Sequence, residues 1–111
     1  MTKRFDTKLL EEAFEFIQEQ NIKARKKIFQ NIRRAEQQSD TKFFKKLTTD
    51  IWEFRTLYSG NQYRLLAFWD KENKAETLVF ATHGMIKKTS KVDKKEIDKA
   101  DKIRKAYFKN R

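Results

Sequence analysis

The apolar residues of this chain change their period once and then change it back. From Leu9 to Ala35 they recur at intervals of three and four, from about residue 50 to 85 they alternate, and from Ile97 the longer interval returns. Intervals of three and four collect side chains on one stripe of a helix, whereas alternation collects them on one face of a strand. The period carries unusual weight here, because the chain has no proline and only two glycines to punctuate it.

Leu9, Leu10, Ala13, Phe14 and Ile17 predict a first helix, with Asp6 as its cap and Glu11 and Glu12 suited to its first turn. Ala24, Ile28, Ile32 and Ala35 predict a second, separated from the first near Gln20-Asn21 and ended by the stretch 35–40. Together they form an antiparallel helical hairpin whose outer faces carry Lys23, Arg25, Lys26, Lys27, Arg33 and Arg34. A basic-aromatic segment (41–47) leads into strands over 50–58, 61–69 and 76–85, rich in aromatic and branched residues. Ser59-Gly60 suits a two-residue hairpin turn, and 70–75 is a second turn. Asp93 opens the last helix, with Asp93 and Glu96 at capping-box spacing and Ile97, Ala100, Ile103 and Tyr107 or Phe108 as its stripe. The opening MTKRF adds a possible edge strand. Helices followed by strands argue for an α+β fold with an antiparallel sheet, and 111 residues for a single domain, 1–111.

Charge bounds the partners. Lys and Arg number 27 against 16 Asp and Glu, a net +11, which favours polyanions such as nucleic acid, or an acidic protein that masks the patch. From His83 to Arg111 there are eleven basic residues and four acids, an electrostatic footprint or an ordinary solvated face. Only 38% of residues are hydrophobic, yet ten are phenylalanine, so a few large side chains supply the core. Without cysteine there is no thiol nucleophile or thiolate metal site, and one histidine excludes a histidine-rich one; no metal and no cofactor is expected. No phosphate-binding P-loop or dinucleotide glycine fingerprint is present. No apolar run approaches a membrane span and the first residues lack an apolar signal core, so a cytoplasmic protein without membrane contact is expected.

If Ser59-Gly60 is a two-residue loop, Tyr58 pairs with Asn61 and Arg55 with Arg64. Like charges directly opposite each other are destabilising. An anion between the arginines relieves that, as does pairing with Glu53 or with solvent. The stretch THGMIKKTSK (82–91) ends the third strand. There His83, on the parity of Ala81 and Val79, is either a general acid or base or a hydrogen-bonded core residue. Gly84 permits a kink or a close approach. Lys87 and Lys88 can clamp a phosphate. Lys42, Lys45 and Lys46 flank Phe43 and Phe44, rings that either stack on bases or fill the core. Trp52 and Trp69 share the parity of Phe54, Tyr63 and Leu65, which faces the helices.

WEFR (52–55), YRLLAFW (63–69), THGMIKKTSK (82–91) and KEIDKADKIRKAY (95–107), in this order and spacing, resemble the HigB-like, phage-derived branch of the RelE/ParE toxin superfamily. The resemblance covers roughly residues 43 to 108. It implies a helical hairpin packed on a small twisted antiparallel sheet with a C-terminal helix. It also implies the toxin of a type II toxin–antitoxin pair, a metal-independent mRNA endoribonuclease that acts on the ribosome by 2′-OH attack on the scissile phosphate and so inhibits translation. Its implied partners are mRNA, the ribosome and a cognate antitoxin with a helix-turn-helix domain. By position, Arg64 matches the arginine that touches the scissile phosphate, Arg55 a nearby basic position, Lys87 and Lys88 the basic pair after the last strand, and Lys46 a basic position in the preceding loop. His83 is typical of the branch. These make Arg64, Arg55, His83, Lys87 and Lys88 the catalytic candidates, with Lys46, Lys42, Lys45, Lys91 and Arg104 as RNA contacts. Tyr107 joins them only if the last helix turns it towards the sheet. The chain departs from the pattern where Val92-Asp93 replaces a Thr-Pro before the last helix. The same fold also hosts gyrase inhibitors that cut nothing, and a non-catalytic basic nucleic-acid-binding module or an inactive toxin would share its charge.

Overall fold

The computed structural model describes residues 3–72, 77–88 and 91–110. The elements run β1 (Asp6–Leu9), α1 (Glu11–Gln18), α2 (Ile22–Gln37), β2 (Phe44–Lys46), β3 (Trp52–Tyr58), β4 (Asn61–Asp70), β5 (Leu78–Lys87) and α3 (Lys94–Asn110). The strands form one sheet in the order β1-β5-β4-β3-β2. All neighbours are antiparallel except β1, which joins β5 in parallel. The α+β arrangement is the expected one, with α1 and α2 on one sheet face and α3 on the other. Among the described residues no helix is long and apolar enough to cross a membrane.

The central hairpin follows from its turn. Ser59 and Gly60 both have positive φ, 51° and 80°, the conformation that matches a two-residue loop to the strand twist. Tyr58 therefore pairs with Asn61 and Arg55 with Arg64, the register read from the sequence. The second helix is also as read: Asn21 caps it by accepting from the Ala24 N–H at 2.9 Å, and Ala24, Ile28, Ile32 and Ala35 are buried. In α3, Ile97, Ala100, Ile103 and Tyr107 pack against Leu66, Phe68 and Phe80. Trp52 and Trp69 join Phe5, Phe44 and Phe54 in an aromatic cluster on the helical-hairpin side. Phe43 and Phe44 are core residues, 8% and 3% exposed, so neither is a free stacking platform.

Five local expectations are overturned. Asp6 is not a helix cap: it lies in β1, its N–H bonded to the Thr77 carbonyl at 2.9 Å. The edge strand thus follows MTKRF rather than occupying it, and α1 begins at Glu11 after a Leu10 that gives no side-chain cap. Burial of Phe5 against Phe44 and Trp69 anchors that strand, a side chain worth about 1.5–3 kcal/mol when fully buried. Phe14 is 49% exposed, because a helix starting at Glu11 turns Ala13, Phe16 and Ile17 inward instead. The basic-aromatic segment contains β2, whose three residues hold only one inward apolar side chain, Phe44.

The fourth concerns His83. Leu66 pairs with His83 but Ala67 pairs with Ala81, leaving Thr82 as an extra residue in β5. This bulge switches the parity of the strand. Ala81 and Val79 face α1 and α2, whereas His83 shares the face of Leu66 and α3. Thr82 Oγ1 lies 3.3 Å from the Leu66 carbonyl and 2.9 Å from His83 Nδ1, so its one proton serves either acceptor at the bulge. The capping-box pair is likewise diverted, Asp93 to Lys87 at 3.3 Å and Glu96 to His83 at 3.2 Å.

Candidate functional site

α3 packs on Leu66, Phe68 and Phe80. Arg55 and Leu57 on β3, Gln62 and Arg64 on β4, and Lys87 on β5 share that sheet face, towards the Ser59-Gly60 turn. Their alternation puts charge where the other sheet face puts Phe54, Tyr63 and Leu65. Leu57 is 67% exposed there.

The two opposed arginines share one carboxylate. Arg64 Nη1 lies 3.0 Å and Arg55 Nε 3.4 Å from the same oxygen, Glu53 Oε1. Arg64 also donates to Gln62 Oε1, and Arg55 Nη1 donates to the Thr41 carbonyl at 3.1 Å. Lys45 stands directly opposite Glu53 on β2. Both ends of the central pair are buried, Glu53 and Arg64 each 2% exposed. Burial pushes the Glu53 carboxyl above its ordinary value, against the pull of Arg64, Arg55 and Lys45. Burial also lowers the Arg64 guanidinium, which nevertheless stays charged near neutral pH. Two guanidiniums on one carboxylate leave a surplus positive charge. Two polar atoms are left over as well: among the described residues Glu53 Oε2 and Arg64 Nε are buried without hydrogen-bond partners. A buried guanidinium N–H without a partner is uncommon, and guanidinium donors favour anions.

The other candidates scatter. Lys87 pairs in register with Gln62, and its ammonium, bonded to Asp93, is mostly covered. Lys88 follows the strand and is exposed, as is Lys91 before α3. Lys42 borders the hollow, about 420 Å³, that Arg55 and Arg64 also line. Lys46 and Arg104 meet elsewhere, in a hollow of about 250 Å³ with Trp52, Trp69 and Phe108. Arg104 is engaged there by Asp50 and Asp101, each at 3.3 Å. Tyr107 does turn to the sheet, but it donates to Asp70 Oδ2 at 2.7 Å beside Phe68 and Phe80, not beside the arginines.

His83 lies diagonal to Arg64 on the same face, but both of its ring nitrogens are taken, Nδ1 by Thr82 and Nε2 by Glu96. Burial lowers its pKa from the ordinary 6.5, with Lys99 adding to that and Glu96 and Glu12 opposing it. In a neutral ring Nε2 donates to Glu96 and Nδ1 accepts from the Thr82 hydroxyl, which ties β5 to α3. Sequence reasoning treated Glu53 only as an alternative partner for the arginines, and passed over Gln62 and Asn31. Asn31 was legible: it is a polar residue on the buried stripe of α2, three residues after Ile28.

A Gly84 side chain would collide with α1. A Cβ there would stand 2.3 Å from the Phe16 ring and 2.8 Å from a Leu65 methyl. The glycine therefore permits close approach of α1 to β5.

Residues 15–105 match the family of phage-derived Gp49-like proteins (DUF891), and the chain belongs to that family. No curated protein matches the chain. No solved structure matches it either.

Proposed function

We propose that this Gp49-like protein is the toxin of a type II toxin–antitoxin pair and acts as an mRNA endoribonuclease. The observation that carries the reading is the Arg55–Arg64 cross-strand pair, held on a single carboxylate with one buried guanidinium N–H unused. The resemblance of WEFR, YRLL and HGMIKK to HigB-like toxins and the family membership support it.

In this reading a phosphodiester settles against Arg55, the more exposed of the two, and against the free Nε of Arg64. Lys42, Lys45, Lys87 and Lys88 extend the positive field along the strand. The 2′-oxygen attacks the adjacent phosphorus and the P–O5′ bond breaks, leaving a cyclic 2′,3′-phosphate and a 5′-hydroxyl. The 2′-OH proton passes to a base and the departing oxygen receives one. The arginines neutralise the charge that builds on the non-bridging oxygens, and in-line positioning supplies much of the remaining rate. His83 serves the fold in this account and transfers no proton to or from the substrate unless its bond to Glu96 opens. The cognate antitoxin, with a helix-turn-helix domain, neutralises the toxin.

The test is purified protein mixed with message-programmed ribosomes, followed by analysis of the termini. Fragments with 5′-hydroxyl and cyclic phosphate ends, formed by wild type and lost in Arg55→Ala, are expected. Intact message, with gyrase inhibition in a parallel supercoiling assay, would replace the nuclease by the gyrase reading.

A further inference from the structure

β2 is too short to cover β3. The last bond on that side runs from the Arg55 N–H to the carbonyl of Phe43, the residue before β2, at 2.8 Å. From Thr56 onward β3 has no strand neighbour on that side among the described residues. α2 lies across this open edge, and the hollow of about 420 Å³ described above sits between them. Its lining includes Lys27, Asn31 and Arg34 from α2, none of which the preceding reading uses.

We propose that this hollow is a nucleotide subsite, taking the base and ribose of a nucleotide whose phosphate lies against Arg55. The proposal rests on the RNA-cleaving reading and names where its substrate is gripped beyond the scissile bond. Asn31 is the central observation. It is 5% exposed, and its amide nitrogen donates to the Arg55 carbonyl at 3.2 Å and to Thr56 Oγ1 at 3.4 Å. Its Oδ1 is buried without a partner among the described residues, and a buried acceptor left unpaired is costly. A donor brought in by a ligand would complete it.

The surroundings specify that ligand. The lining holds five basic residues and no carboxylate, which suits phosphate oxygens. Phe43 supplies one apolar wall, with the Arg34 guanidinium 5.5 Å and the Lys42 ammonium 5.9 Å from its ring centre. The volume falls within the ~300–1,000 Å³ of small-ligand sites. An acidic peptide would satisfy the cations with side chains that have acceptors only at neutral pH, leaving the Asn31 oxygen to a backbone N–H, which is why such a peptide serves as a comparison in the test. Every nucleobase carries an N–H edge that can donate to it. A nucleotide therefore meets two features at once, the cations and the orphaned acceptor.

The test is an amide-resolved NMR titration of the whole chain with the four nucleoside 5′-monophosphates, with inorganic phosphate and with an Asp/Glu-rich peptide as comparisons. The expected result is saturable movement of the Asn31 side-chain amide and the Thr56 backbone amide by at least one monophosphate. Phosphate alone should leave the Asn31 amide in place. Lys27→Ala/Arg34→Ala, at partly exposed positions, should weaken the monophosphate about ten-fold. No movement at Asn31 with any monophosphate, or equal movement with phosphate or the peptide, overturns the subsite. Message cleavage by the same preparation without such movement removes the subsite and leaves the nuclease standing. Movement without cleavage keeps the subsite and removes the nuclease.

Discussion

Replacing Arg64 by methionine separates what the arginine does for the fold from what it does for an anion. The substitution strands Glu53, a carboxylate 2% exposed, with Arg55 as its remaining close cation at 3.4 Å. The cost has a ceiling, because a stranded carboxylate takes a proton once ionisation becomes too expensive. Measured from the ordinary value of 4.5, that ceiling is about 4 kcal/mol at pH 7.5 and about 1.4 kcal/mol at pH 5.5, at 1.36 kcal/mol per pH unit. With Arg55 still in place, the expected loss at pH 7.5 is roughly 2–3 kcal/mol. The sign follows from proton binding. Glu53 holds its proton more tightly folded than unfolded, so stability falls as pH rises through the window above 4.5. The Arg64→Met variant should therefore lose much less at pH 5.5 than at pH 7.5 in urea unfolding. Glu53→Gln/Arg64→Met, with both charges gone, should return to within about 1 kcal/mol of wild type at either pH. Equal losses for the single variant at the two pH values would refute the claim that the ion pair, rather than packing, sets the cost.

The bulge histidine gives the opposite slope. Burial lowers the His83 pKa from 6.5, so its contribution is complete above that value and is lost as pH falls below it. His83→Gln should flatten the difference in urea midpoint between pH 6.5 and 5.5, and an unchanged difference would contradict the burial argument. Gly84→Ala drives a methyl into Phe16 and should cost about 1–3 kcal/mol, read as a lower melting temperature. Adding Phe16→Leu should recover part of it if the collision is the cause. Single-stranded RNA binding should weaken with salt, and Lys42→Gln/Lys45→Gln should reduce the log–log slope by about 1.4, at ~0.7 per lost phosphate contact. An unchanged slope would place both lysines outside the RNA path.

The sequence carried the long elements and the central register. Ser59-Gly60 announces a two-residue turn, and once the turn is accepted Arg55 must face Arg64. The stripes of α2 and α3 are long enough for their period to be read. β1 and β2 are four and three residues long, too short to show alternation, and Leu9-Leu10 also fits a helical stripe. Position along the chain could not reveal the face of His83, because one extra residue at Thr82 reverses every parity before it. The depth of the arginine cluster was equally hidden. Parity put Glu53 on the arginine face, but only the packing of neighbouring side chains makes it and Arg64 buried. Of the lysines chosen from the sequence, Lys42 and Lys45 lie beside the arginines, whereas Lys46 lies with Arg104 in another hollow. In a chain with 27 basic residues, residue type alone cannot sort them.

Mapping transcript 5′ ends after a brief induced pulse tests the central claim most directly. Wild type would be compared with Glu53→Gln/Arg64→Met, chosen because it should fold, and with Lys87→Ala/Lys88→Ala. The account predicts new 5′ ends inside open reading frames with wild type, absent with the arginine variant and reduced with the lysine variant. Unchanged transcript ends in cells arrested by the wild-type protein would contradict it.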